Sequence, residues 1–136
     1  MLFDGLCGMC SRSVVFMLRH DAARRLRFAP VQSDVGRRLL AEVPGSLLPY
    51  GRVLSDGTPG TMVLLDGGRV YTQSDTALRI AGYMRFPWNV FACMRIVPRP
   101  IRDALYRLVA RNRHRFSRRR DVCYAPAPGE AERFLA

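Results

Sequence analysis

Cys7-Gly8-Met9-Cys10 sets two thiols three positions apart. That is the spacing of redox-active dithiols and of half a structural zinc site. On a helix, residues i and i+3 share a face, which brings two sulfurs within disulfide reach. At a helix N-terminus, unpaired N–H groups and the positive dipole end favour a thiolate. Cys7 is then the expected attacking thiol and Cys10 the more buried, resolving one. The cycle runs through attack on a substrate disulfide, a mixed disulfide on Cys7, and release by Cys10. Gly5 and Gly8 leave the backbone open to an approaching substrate. Asp4 has two readings. It is a proton acceptor for Cys10 if the strand end is buried, or a turn-former with Gly5.

Zinc is the rival chemistry. A structural site needs four ligands. Beyond Cys7 and Cys10, the candidates are Cys93, Cys123, His20 and His114, single and far apart in sequence. Cys93 lies in an apolar stretch and reads as core. Cys123 follows an arginine run and reads as accessible, with a third redox thiol as its functional reading.

The elements around the dithiol follow from pattern. Leu2-Phe3 is a stub of apolar strand. Cys10 to His20 reads as a largely buried helix. Leu26, Phe28 and Val31 alternate as a strand that Pro30 ends or edges. Ser33 caps a short helix from Asp34 to Glu42. Residues 44–60 are rich in Pro and Gly and read as a long loop. Met62–Leu65, Asp66-Gly67 and Arg69–Thr72 form a hairpin. Ser74 or Asp75 caps the next helix. Trp88 to Val97 is a short apolar helix. Ile101, Ala104, Leu105, Leu108 and Val109 mark an amphipathic helix with Arg102, Arg107 and Arg111 outside. Strand–helix–strand–helix–hairpin–helix is a mixed α/β order, with the two helix-linked strands parallel and the hairpin antiparallel.

A wider set of residues resembles a known family. Phe3-Asp4-Gly5-Leu6-Cys7-Gly8-Met9-Cys10 is similar to the signature of the DCC family of thiol-disulfide oxidoreductases, named for its Asp, Cys, Cys pattern. The similarity continues through 27–33, 68–78, 97–106 and 109–113. It implies a thioredoxin-like α/β fold: a small mixed sheet flanked by helices, with a helical C-terminal extension. It assigns the signature roles to Asp4, Cys7 and Cys10, and it raises the functional reading of Asp4. Thioredoxin-like proteins usually carry a cis-proline facing the dithiol. Pro59 is the nearest candidate by position, although Pro59-Gly60 also reads as a plain turn.

Length and charge bound the rest. The 136 residues suit one domain, expected over 1–124 with a tail at 125–136. All 22 basic residues are Arg, against 11 acids, a net charge of +11. With no Lys there is no Schiff base and no P-loop. Before residue 91 there are 11 Arg against 7 acids, and from 91 onward 11 against 4. The excess peaks at Arg111–Arg120, which holds six Arg and one His. That run reads as a solvated face or as a dock for an acidic partner or anionic surface. Nucleic acid is not expected, because Phe116 alone is a poor stacking platform. No signal peptide and no transmembrane segment are expected, and four Cys are too few for a secreted scaffold. The expected compartment is the cytoplasm. The expected function is thiol-disulfide exchange on a disulfide-containing protein or small thiol, with no cofactor but with a recycling reductant. The alternative is an arginine-rich binding module whose cysteines are structural or bind metal.

Overall fold

In the computed structural model, described over residues 1–44, 46, 61–116, 126 and 128–135, four strands form one sheet. In chain order the elements are β1 (Leu2–Phe3), α1 (Gly8–His20), β2 (Ala29–Pro30), α2 (Asp34–Ala41), β3 (Val63–Asp66), β4 (Arg69–Thr72) and α3 (Gln73–Ala81). A 3-10 helix at Trp88–Ile96, α4 (Arg99–Phe116) and a short 3-10 turn at Ala131–Arg133 follow. The strand order is β2-β1-β3-β4. β1 runs parallel to β2, and β3 is antiparallel to both β1 and β4. This is the expected mixed α/β arrangement of a thioredoxin-like domain.

Two-residue β1 suffices because both its side chains are core. Successive strand residues face opposite sides of a sheet. Phe3 joins a cluster with Cys7, Cys10, Val14, Met17, Phe28, Leu64 and Ile80. Leu2 joins the other cluster, with Ala29, Val31, Val43 and Val63. The dithiol therefore grows out of the larger core. The second strand is shorter than its alternation suggests, yet Leu26, Phe28 and Val31 are all buried.

α2 lies close over β2. Ser33 caps it as expected, accepting the Gly36 N–H at 3.0 Å. A Cβ on Gly36 would sit 1.9 Å from the Pro30 carbonyl oxygen. Gly36→Ala is therefore expected to cost about 1–3 kcal/mol through overpacking against unyielding backbone. Urea denaturation measures it, and an unchanged midpoint would contradict this account of the α2–β2 approach.

The hairpin is present, with its turn one residue later than expected. Asp66 pairs with Arg69, so Gly67 and Gly68 are the central residues. Their φ values of +56° and +74° suit a two-residue type I′ turn. Asp66 instead accepts from the Tyr83 hydroxyl at 2.6 Å and Arg79 Nε at 2.7 Å, tying the hairpin to α3. These bonds hold its carboxyl below the usual carboxylate range.

α1 starts at Gly8, earlier than the expected Cys10. α4 presents the face opposite to the expected one. Ile101, Leu105 and Leu108 are 55%, 56% and 59% exposed, while Arg102 is buried. Polar anchors explain the rotation. Arg102 Nη1 donates to Asp75 Oδ1 at 3.1 Å and its Nε to the Val97 carbonyl at 2.9 Å. Asp103 accepts from the Ser74 hydroxyl, and the Thr61 hydroxyl donates to the Tyr106 hydroxyl at 2.9 Å. Ser74 and Asp75 thus serve the α3–α4 contact, and the N-cap of α3 is Thr72. Cys93, expected in the core, is exposed on the 3-10 helix.

The end of the chain returns to the sheet. The Phe28 N–H donates to the Arg133 carbonyl and the Leu135 N–H to the Phe28 carbonyl, each at 2.8 Å. Phe134 packs on Phe28 with ring centroids 5.6 Å apart. Arg133 is buried and Phe134 half-buried, which no local pattern in the sequence indicates.

Candidate active site

The chain leaves β1 at Phe3, turns through Asp4-Gly5-Leu6, and enters α1 with Cys7 as its N-cap. An N-cap side chain satisfies one of the orphan N–H groups of the first turn. Here the acceptor is sulfur: the Cys10 N–H donates to Cys7 Sγ at 3.4 Å. That bond and the helix dipole both favour negative charge on Cys7. Ser11, fully buried, donates its hydroxyl to the Cys7 carbonyl at 3.1 Å. The Cys7 N–H in turn donates to the Asp4 carbonyl at 3.2 Å.

Asp4 is buried at the strand end. Its Oδ1 accepts the Leu6 N–H at 3.0 Å and Gln32 Nε2 at 2.8 Å. Gln32 Oε1 accepts the Gly5 N–H at 3.0 Å. The turn-forming role of Asp4 is therefore realised, and Gln32 clamps both limbs of the turn from beyond β2. Gln32 was not singled out from sequence, although it lies inside the 27–33 segment that carries the resemblance. Oδ2 of Asp4 accepts no hydrogen bond among the described residues.

Cys10 is not the more buried thiol. Relative exposures are 2% for Cys7 and 4% for Cys10. Cys10 lines a cavity of about 480 Å³ bounded by α1, α3 and α4, and Cys7 does not. Pro59 and Cys123 lie outside the described residues, as do residues 117–120 of the Arg111–Arg120 run.

No three His, Cys, Asp or Glu side chains come together as a metal site among the described residues. His20 is instead packed between aromatic rings, 4.2 Å from Phe16 and 5.6 Å from Trp88 by centroid. No helix among the described residues is long and apolar enough to cross a membrane.

A dithiol capping the first helix of a thioredoxin-like sheet matches one family model, that of the DCC1-like thiol-disulfide oxidoreductases, over residues 1–119. The chain belongs to this family. The uncharacterized protein YuxK of Bacillus subtilis is 34% identical over 135 residues, covering 99% of this chain and 92% of YuxK. A chloroplastic DCC family protein of Arabidopsis thaliana is 36% identical over 124 residues, covering 90% of this chain and 67% of its own. No solved structure matches the chain significantly. The match to the DCC1-like family runs from β1 through α4. It therefore includes the Ser74–Asp103 and Asp75–Arg102 pairs that hold α4 over α3.

Proposed function

We propose that this DCC1-like protein exchanges thiols and disulfides with Cys7 as nucleophile and Cys10 as resolving thiol. The observation that carries the reading is the Cys10 N–H donated to Cys7 Sγ at the N-cap of α1. It supports thiolate character on Cys7 at neutral pH, and the thiolate is the attacking species. Asp4, buried at the strand end with its Oδ1 committed to the turn, serves as proton acceptor for Cys10. Family membership supports a protein or small-molecule thiol or disulfide as substrate. In a reducing compartment such as the cytoplasm the net direction is disulfide reduction, with a separate thiol reductant regenerating the dithiol. The basic run at Arg111–Arg120 serves as a dock for an acidic partner.

Trapping tests the division of roles. With Cys10→Ser, a disulfide-bearing substrate is expected to accumulate as a mixed disulfide on Cys7, since the resolving step is missing. With Cys7→Ser, no adduct is expected on Cys10. Intact-mass and peptide mapping read the outcome, and the reverse pattern would exchange the two roles.

A further inference from the structure

The stretch from Phe86 to Val109 leaves much apolar side chain in water. Most residues of the 3-10 helix Trp88–Ile96 are apolar, yet none of the nine is buried. Phe86, just before it, is 76% exposed, and Ile96, at its end, 89%. Phe91 is exposed as well, and its ring stacks on that of Trp88. The outward face of α4 adds Ile101, Leu105 and Leu108. Single exposed apolar residues are ordinary on a soluble protein. A continuous set over two consecutive helices marks a contact surface.

The charge beside these residues has one sign. Asp103 is the one acid between positions 82 and 116. It is half-buried and accepts from the Ser74 hydroxyl. Arg99 is paired with Asp75. Arg85 and Arg95 are exposed and form no ion pair among the described residues. Two copies meeting through this face would set like charges against each other, which is costly. With no buried residue, the 3-10 helix offers a ridge of protruding side chains rather than a pocket for a shape-matched protein. Such a ridge suits the boundary between headgroups and acyl chains, where apolar side chains enter and guanidiniums stay at the level of the phosphates. Negative lipids add attraction for each unpaired arginine.

We infer that the 3-10 helix and the outward face of α4 form a peripheral docking surface for an anionic lipid bilayer. The contact lies on the membrane, since no helix among the described residues is long and apolar enough to cross one. The inference goes beyond the exchange reading and does not depend on it.

Vesicle sedimentation of the full chain tests it, at about 0.1 M salt, where surface charges still act over about 10 Å. One vesicle is phosphatidylcholine alone, and the other has about one-third phosphatidylserine. Binding to the mixed vesicles is expected, and binding to the neutral ones should be about ten-fold weaker or less detectable still. Trp88, the one tryptophan of the chain, should shift its emission to the blue on binding. Ile96→Ser/Leu105→Gln removes one exposed apolar side chain from each helix and is expected to weaken binding about ten-fold or more. Arg85→Gln/Arg95→Gln is expected to weaken it about thirty-fold, at about five-fold per arginine. All four positions are exposed, so thermal midpoints should stay near that of the wild type. The two variants alter different side chains, so misfolding of one leaves the other as the test. No sedimentation with the mixed vesicles overturns the inference, and binding to soluble poly-glutamate in that case would give the face to an acidic protein. Equal binding to both vesicles, or binding that survives either variant, also overturns it. So does a wild-type dimer at the same protein concentration that Ile96→Ser/Leu105→Gln dissociates, which would give the face to a second copy.

Discussion

Cys7→Ser is expected to slow disulfide exchange by about a thousand-fold or more, as loss of a covalent nucleophile does. The fold is expected to survive. Cys7 caps α1 by accepting the Cys10 N–H, and Ser is among the best residues for that position. The cap is kept, but the hydroxyl is buried in the core that Cys7 shares with Phe3 and Phe28, so a loss of about 1–2 kcal/mol without loss of the fold is expected. This separates chemistry from structure, since the lost sulfur is replaced by an oxygen that can still cap the helix. A variant that unfolds, or that keeps its exchange rate, would contradict the placement of Cys7 as both cap and nucleophile.

Arg133→Ala is expected to lower folding stability by about 3–5 kcal/mol, the cost of stripping one partner from a buried ion pair. The Arg133 and Asp21 side chains are almost wholly enclosed and bonded to each other. Arg133 also donates to the carbonyls of Leu18, at 3.2 Å, and Leu26, at 3.3 Å. Asp21 is the C-cap of α1, and its Oδ2 accepts the Leu26 N–H at 2.8 Å. One guanidinium thus joins the end of the helix that carries the dithiol, the start of the segment entering β2, and the C-terminal turn. Replacing both residues with apolar ones of similar volume should cost less than Arg133→Ala, because no charge is left stranded. Denaturant midpoints of the three proteins measure this, and a double variant as unstable as Arg133→Ala would contradict it.

What the sequence disclosed was local. The dithiol spacing, the Ser33 cap and the hairpin each depend on neighbours within a few residues, and each is found close to its expected place. The orientation of α4 is not local. Apolar periodicity picks the Ile101–Leu105–Leu108 face for the interior, yet Arg102 and Tyr106 face inward. Their partners, Asp75 and Thr61, lie 27 and 45 positions away. A polar residue with a distant buried partner looks like a surface residue in a single sequence. Gln32 is hidden for the same reason, since Asp4 is 28 positions from it. Arg133 is the extreme case, 112 positions from Asp21. The relative burial of the two thiols is not legible either, because a helical i, i+3 pair says nothing about which neighbour borders a cavity. The +11 charge, the most conspicuous number in the composition, has no place in the dithiol turn, where residues 4–11 include no Arg.

The most direct test of the central claim is equilibration of the protein across a series of glutathione ratios, followed by acid trapping and peptide mapping. The expected result is one Cys7–Cys10 disulfide that forms and opens reversibly. It should follow a two-electron curve of about 30 mV per ten-fold change and be abolished by Cys10→Ser. A dithiol that never closes across that range, or that closes only onto Cys93 or Cys123, would contradict the exchange mechanism.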